Sequence, residues 1–146
     1  MVWKLKSYSA LTKEELYSLL RLRATVFVVE QDCPYQDLDN KDQKAQHLLG
    51  IDAGEVVAYL RIFKAGDYFQ EISIGRVVVK PDYRATGLGH ELMNQAIDFI
   101  EKNFKDKSIR ISAQTYLKKF YESHGFKQVG LGYLEDGLPH IGMLRK

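Results

Sequence analysis

The chain of 146 residues has few cysteines and prolines and no long hydrophobic run. Its one cysteine, Cys33, cannot form an internal disulfide, which excludes a disulfide-stapled scaffold and favours a reducing compartment. A structural zinc site of the usual kind needs at least two cysteines, so the same count excludes it. The longest hydrophobic run, residues 56–60, falls far short of the roughly 20 residues that a membrane-spanning helix needs.

The sequence also has no large excess of positive or negative charge, and it shows no targeting segment. The 21 Lys and Arg and the 19 Asp and Glu leave a formal net charge of +2, too weak to indicate nucleic acid or a membrane surface as partner. Residues 1–7 alternate apolar and basic types and lack the apolar core of a signal peptide. With 45% hydrophobic residues, no linker and no repeat, the sequence predicts one cytoplasmic domain over residues 1–146.

Local patterns predict elements in the order strand, helix, three strands, helix, strand, helix and two strands. Thr12 followed by Glu15 is typical of a capping box, which begins a helix that ends near residues 28–31. Alternation and turn signals predict the strands, and helical spacing predicts the other helices. The strands are residues 3–7, 47–51, 56–63, 72–79, 109–113, 127–134 and 140–144, and the other helices are residues 88–104 and 117–124. Adjacent strands favour antiparallel pairing, and one strand–helix–strand stretch favours a parallel crossover, so we expect an α+β fold with a mixed, mostly antiparallel sheet and helices on both faces.

The sharpest local feature is a glycine-rich turn between a strand and a helix, Arg-Ala-Thr-Gly-Leu-Gly at residues 84–89. Backbone N–H groups at a helix start are unpaired and lie at the positive end of the helix dipole, and glycines let a phosphate approach them. A dinucleotide-binding fingerprint would need glycine where Leu92 stands, and a Walker loop would need Gly-Lys, which does not occur. Two alternatives remain: an anion-binding turn, or only a tight strand-to-helix turn.

Motifs on both sides of the turn carry a resemblance to a known family. Val79-Lys80-Pro81 precedes the turn, and Tyr121 stands four residues before Gly125-Phe126. Val-x-Pro, Arg-x-x-Gly-x-Gly and Tyr-x-x-x-Gly-Phe together closely resemble the GNAT superfamily of acetyl-CoA-dependent N-acetyltransferases. Residues 27–39, 47–50 and 139–143 are similar to its ElaA branch. The resemblance implies a GNAT-like α/β sandwich in which two parallel strands, residues 72–79 and 109–113, splay apart around acetyl-CoA.

The resemblance also implies roles for individual residues. The pantetheine arm would lie along the backbone of residues 77–79, and the pyrophosphate would take backbone N–H groups from residues 84–89. The implied cofactor-binding residues are Val77, Val78, Val79, Arg84, Ala85, Thr86, Gly87, Leu88, Gly89 and Gln114, the last standing where many members have Asn. Among the catalytic positions, the N–H of Val77 would stabilise the oxyanion, and Tyr121 would protonate the leaving thiolate. The alternative for Tyr121 is a packed aromatic with a satisfied hydroxyl.

The general base is less well defined. A lysine-like amine has a pKa near ~10.4, so a base or a path to water must remove its proton at neutral pH. Ser73 occupies a well-known family position for a glutamate base. Candidate replacements are Glu30, Glu71, Glu135 and His140. Glu30 is placed first as catalytic base because it stands at a helix end beside a polar loop.

An acidic segment follows that helix. Glu30, Asp32, Asp37, Asp39 and Asp42 fall within thirteen residues. They either steer a cationic amine or form an ordinary solvated loop. A calcium loop is set aside, because a lysine takes a ligand position and an aspartate stands where glycine is required, so no metal is expected.

The functional expectation is therefore acetyl transfer from acetyl-CoA to a primary amine by direct attack in a ternary complex. The expected partners are acetyl-CoA and an amine acceptor, without nucleic acid or membrane, and the family's frequent dimers leave a homodimer open. Ser73 motivates the main alternative, a non-catalytic module that binds acyl-CoA as a sensor or interaction domain. Cys33 has no base identifiable nearby and is interpreted as a packed or exposed thiol.

Overall fold

A computed structural model describes all residues, 1–146. The strands are β1 (Val2–Ser7), β2 (Gln46–Asp52), β3 (Glu55–Phe63), β4 (Ile72–Val79), β5 (Ile109–Gln114), β6 (Lys127–Glu135) and β7 (Leu138–Arg145). The helices are α1 (Lys13–Arg23), α2 (Leu88–Asn103) and α3 (Lys118–Glu122), and a π-helical segment, Ala24–Glu30, continues α1. The predicted order of strands and helices is confirmed. None of the helices has both the length and the apolar character that a membrane crossing demands.

The seven strands form one mixed sheet in the order β1-β2-β3-β4-β5-β7-β6. Every neighbouring pair is antiparallel except β4 and β5, which the α2 crossover connects in parallel. These two strands pair only at Ile72 with Ile109 and at Ser73 with Arg110. Beyond that point they diverge, so the sheet opens toward the carboxyl ends of both strands.

Helices cover both faces of the sheet, as predicted. Side chains alternate across a strand, so Leu48 packs on the face of α2 while its neighbour Leu49 packs on the face of α1. β3 lies near the centre of the sheet and is buried along almost its whole length, which explains its continuous hydrophobic run.

The first helix begins as the sequence predicts but changes its winding before it ends. Thr12 Oγ1 accepts from the Glu15 N–H at 3.1 Å, and Glu15 Oε1 accepts from the Thr12 N–H at 2.9 Å, which completes the capping box. Residues 24–30 then widen into a π-helix, and the Gln31 N–H donates to the Val26 carbonyl at 3.1 Å. Such segments are rare and are frequently found at functional sites. Here the widened turn brings Phe27 and Gln31 to the opening between β4 and β5.

Candidate active site

A bulge in β4 lies where the strand leaves β5. Tyr59 pairs with Val78 and Arg61 with Gly75, so a single β3 residue opposes both Arg76 and Val77. Arg76 has a φ of +52°, a left-handed conformation that non-glycine residues seldom adopt. Strain of this kind persists only where the surroundings enforce it. The bulge leaves Val77 without a register partner on either neighbouring strand, facing the opening.

Asp37 holds the side chain of the bulged residue. Arg76 Nε lies 2.8 Å from Asp37 Oδ1, and Arg76 Nη2 donates to the Asp37 carbonyl at 3.0 Å. Both contacts join Asp37, in the segment that follows the first helix, to Arg76, the residue with the left-handed conformation in β4. The loop therefore helps to keep Arg76 in its left-handed conformation and Val77 out of the ladder.

Two adjoining cavities occupy the opening between β4 and β5. The turn-side cavity has a volume of about 280 Å³ and is bounded by residues 77–79, Arg84, Gly89 and Phe120. The hairpin-side cavity has a volume of about 100 Å³ and reaches the β6–β7 hairpin. The residues that line both are Phe27, Gln31, Val77, Gln114, Leu117 and Tyr121. The predicted oxyanion donor and the predicted acid thus lie on the boundary between the two cavities.

Most of the predicted cofactor-binding residues meet at the turn-side cavity. Its walls include Val77, Val78, Val79, Arg84, Gly89 and Gln114. Gln114 ends β5, and its Nε2 donates to Gln31 Oε1 at 3.2 Å. Ala85, Thr86, Gly87 and Leu88 form the turn without lining either cavity. The structure therefore groups the two strand ends with Arg84 and Gly89, the first and last residues of the turn, around one space.

Tyr121 faces this space with an unpaired hydroxyl. Its side chain is 5% exposed, and its hydroxyl makes no hydrogen bond within the protein. Burial raises the pKa of Tyr121 well above its ordinary value, and the nearby Tyr116 adds to the effect. Tyr121 is consequently a neutral phenol at neutral pH, able to donate a proton to a group in the cavity. A packed aromatic with a satisfied hydroxyl does not describe this geometry.

The glycine-rich turn presents backbone donors at the start of α2. Gly87 has a φ of +82° and precedes the helix, and the first helical hydrogen bond runs from the Glu91 N–H to the Gly87 carbonyl at 3.1 Å. The N–H groups of residues 88–90 therefore have no acceptor within the helix and lie at its positive end. Gly89 has no left-handed φ, and an added Cβ would lie 3.5 Å from Phe120, an ordinary contact. Packing within the protein does not require glycine at 89, whereas close approach of a ligand to the backbone would.

Glu30 is bound to the arginine of the same turn. Arg84 Nη1 and Nη2 donate to its two carboxylate oxygens at 2.6 and 2.7 Å, and Arg84 Nε donates to the Val79 carbonyl at 3.2 Å. The hydrogen bonds from Arg84 hold the pKa of Glu30 below its ordinary value and outweigh the opposing effect of burial. Glu30 lines neither cavity. The expectation that Glu30 is the general base does not fit this geometry, because the carboxylate is occupied and less basic than usual.

The acidic segment is not simply a solvated loop, because all of its carboxylates except Asp32 are paired with arginines. Asp37, Asp39 and Asp42 form a largely buried network with three arginines, Arg23, Arg61 and Arg76. The Arg23 and Arg61 side chains are almost completely buried. Two positions in the sequence could have indicated this network. Arg23 stands at an apolar position of a helix and Arg61 inside a hydrophobic strand, and a buried arginine requires a partner of opposite charge.

The other candidate catalytic residues differ in whether they line a cavity. Glu71 pairs with Arg110 at 3.2 Å and lines neither cavity. Cys33 is a packed thiol whose Sγ lies 3.4 Å from the Asp136 carbonyl. Glu135 and His140 both line the hairpin-side cavity. Sequence reasoning named these two but missed Ser112 and Tyr133, which hydrogen-bond beside them, because serine and tyrosine are too common to signal a site.

Comparisons with known proteins agree on one family. A family model for an acetyltransferase (GNAT) domain matches residues 9–146. The chain is 43% identical to Protein ElaA of Escherichia coli over 146 residues, covering 99% of this chain and 95% of that protein. The crystal structure of Escherichia coli ElaA superposes with a TM-score of 0.93 at 41% identity, covering 100% of both chains. An acyl-CoA N-acyltransferase from Pseudomonas aeruginosa gives a TM-score of 0.94 at 42% identity, also covering 100% of both chains.

Proposed function

The chain belongs to the GNAT acetyltransferase family, and from that premise we propose that it moves an acetyl group from acetyl-CoA to a primary amine by direct attack in a ternary complex. The observation that carries the proposal is the common wall of the two cavities. Val77 and Tyr121 both lie on it, so a thioester in one cavity and an amine in the other would meet between an N–H donor and a proton donor.

The turn-side cavity fits the chemistry of a coenzyme A thioester. Its apolar wall suits a pantetheine arm, and the unpaired N–H groups of residues 88–90 suit a pyrophosphate. Gly89 leaves room for that approach. An aminoglycoside 6'-N-acetyltransferase complexed with coenzyme A has the same fold, with a TM-score of 0.71 at 15% identity. The chemistry of this cavity is what supports acetyl-CoA as the donor.

Acetyl-CoA supplies an activated carbonyl, and two groups of this chain would act on it. The N–H of Val77 would donate to the oxygen as negative charge develops there. When the carbon–sulfur bond breaks, the phenol of Tyr121 would give its proton to the departing thiolate and regain one from the amine nitrogen. A covalent acetyl-enzyme is not required, since Cys33, the one thiol, is packed against the Asp136 carbonyl.

Calorimetric titration of acetyl-CoA, followed by thiol release with a panel of primary amines, tests the proposal. We expect micromolar binding and release of coenzyme A that depends on an amine and falls sharply in Tyr121→Phe. Binding without turnover by any amine would indicate instead a module that binds acyl-CoA without catalysis. Failure of the folded, ligand-free protein to bind acetyl-CoA would refute the proposal.

A further inference from the structure

A polar cluster on one face of the sheet borders the hairpin-side cavity. Four of its members line the cavity, namely Ser112, Gln114, Glu135 and His140, and Tyr133 lies beside them. His140 on β7 lies opposite Gln114 on β5 and opposite Tyr133 on β6. Side chains two residues apart on a strand share a face, so Ser112 and Glu135 belong to the same side. Contacts agree with the register: Ser112 Oγ lies 2.5 Å from the Tyr133 hydroxyl and donates to Glu135 Oε1 at 3.1 Å. None of these side chains is used by the chemistry assigned above to Val77 and Tyr121.

The imidazole of His140 is oriented for proton transfer. Its Nδ1 lies 2.8 Å from the Leu138 carbonyl oxygen, which can only accept, so Nδ1 carries a hydrogen. Nε2 is then the nitrogen with a free lone pair, and it lies 3.5 Å from Glu135 Oε2. The ring is largely buried and stacks against Tyr133, which fixes its direction.

No cationic side chain other than His140 lies within ion-pair distance of the Glu135 carboxylate. Its only ion-pair contact is His140, and its other hydrogen bond comes from the Ser112 hydroxyl. The one arginine that lines the cavity, Arg76, is already bound to Asp37 at 2.8 Å and to Asp39 at 3.5 Å. The cavity therefore has an uncompensated negative charge on the side away from the glycine turn.

We propose that Glu135 and His140 form the acceptor site, where the Glu135 carboxylate binds the ammonium group of a cationic primary amine and His140 Nε2 takes its proton. The proposal rests on the proposed function, because the hairpin-side cavity shares the wall at Val77 and Tyr121 with the turn-side cavity, where the acetyl donor would bind. It also defines a substrate class. Amines that carry further positive charge are favoured, and amines that carry a carboxylate are disfavoured by Glu135.

The proton balance closes without another reactant. An N–H bond of the ammonium breaks and an Nε2–H bond forms, which leaves a neutral amine beside an imidazolium. The amine lone pair then forms the bond to the acetyl carbon while the carbon–sulfur bond breaks. The second amine proton replaces the one that Tyr121 gives to the thiolate, and the imidazolium releases its proton to water. The products are the amide, free coenzyme A and one proton.

The experiment measures thiol release at saturating acetyl-CoA with cadaverine and with the matched amino acid in which a carboxylate replaces its second amine. We expect turnover of cadaverine and at least about tenfold lower kcat/KM for the amino acid. Glu135→Gln, which can still accept from Ser112, should raise the KM for cadaverine with a smaller change in kcat. His140→Asn, which can still donate to the Leu138 carbonyl, should lower kcat by about 10²-fold and remove the acidic limb of the pH profile.

Controls separate this role from a structural one. Glu71→Gln removes a carboxylate outside both cavities and should leave KM, kcat and the pH profile unchanged. All variants should bind acetyl-CoA as the wild type does and unfold at similar temperatures.

The other titratable groups of the hairpin-side cavity are Cys33, Tyr35, Arg76, Tyr121 and Asp136. Burial raises the pKa of both Tyr35 and Tyr121, so neither tyrosine produces an acidic limb.

Each result has a distinct meaning. Wild-type KM, kcat and pH profile in both Glu135→Gln and His140→Asn would overturn the acceptor site and leave the transferase proposal standing. If cadaverine is not turned over, the side-chain NMR resonances of His140 are measured while cadaverine is added. A change in their chemical shift that is absent in Glu135→Gln would support the site. No change in chemical shift would overturn it. Absence of acetyl-CoA binding would overturn the proposed function itself.

Discussion

Replacing Asp42 with Asn should lower the free energy of unfolding by about 3 kcal/mol, because it removes a charge shared by two buried arginines. Asp42 Oδ1 accepts from Arg23 Nη1 at 2.8 Å and from Arg61 Nη1 at 2.9 Å, and the residue is only 6% exposed. Asn presents one carbonyl oxygen without charge. Both guanidinium groups would stay buried with weaker partners.

The magnitude follows from those two contacts. A hydrogen bond that involves a charged group contributes about 1.5–3 kcal/mol, so the loss of two gives about 3–6 kcal/mol. Breaking a buried pair by removing one partner costs about 3–5 kcal/mol in other proteins. Arg23 keeps Asp37 and Arg61 keeps Asp39, which places the expected loss at the lower end. For a chain of this size that loss lowers Tm by roughly 6–12 °C.

Urea and thermal unfolding followed by circular dichroism measure the effect. Asp32→Asn is the matched control, because Asp32 is exposed and its φ of +48° suits asparagine equally well. We expect its free energy of unfolding to change by less than about 0.5 kcal/mol. A loss below about 1 kcal/mol in Asp42→Asn would refute the reasoning, since the network would then contribute little beyond the desolvation of its charges.

The pH dependence gives a second check on the same residue. Burial acts to raise the pKa of Asp42, but hydrogen bonds from Arg23 and Arg61 outweigh it, so the pKa lies below the ordinary value of 3.8. A group with a depressed folded-state pKa contributes stability that is present above its unfolded pKa and is lost as the pH falls below it. The difference in stability between the wild type and Asp42→Asn should therefore be constant above about pH 5 and shrink below about pH 4. A difference that stays constant on acidification would contradict the assignment.

Three further predictions concern the site. Tyr121→Phe should lower kcat by about 10²–10⁴-fold with no change in acetyl-CoA affinity by calorimetry, and full activity would exclude Tyr121 as the acid. Gly89→Ala should leave Tm unchanged, since its Cβ meets only an ordinary contact, yet weaken acetyl-CoA binding; unchanged affinity would mean that no ligand approaches this backbone. Glu30→Gln should free Arg84 and tighten acetyl-CoA binding in low salt without lowering kcat, and a large fall in kcat would restore Glu30 as the base.

Local sequence patterns determined most of the fold. The capping box at Thr12 and Glu15 set the start of α1, and alternation or helical spacing located the other elements within a few residues. Such signals are readable because they depend on neighbours in the chain, through backbone hydrogen bonding and the period of each structure. The divergence of β4 and β5 was expected only from the family resemblance, since no local pattern encodes it.

The family resemblance also indicated which residues surround the turn-side cavity. Arg84 and Gly89 of the glycine-rich turn line that cavity together with residues 77–79 and Gln114. These positions were named by matching them to the family's motifs, because the local pattern by itself predicts only an anion-binding turn or a tight strand-to-helix turn. Their roles toward acetyl-CoA stay predictions until binding is measured.

Only the tertiary structure decided which charged groups pair. Glu30 meets Arg84 across 54 positions of sequence, and the aspartates of the acidic segment meet arginines from α1, β3 and β4. The alignment of Ser112, Glu135 and His140 likewise depends on the register of three strands. A side chain's charge and type are written in the sequence, but its partner, its burial and hence its basicity depend on distances that exist only after the chain has folded.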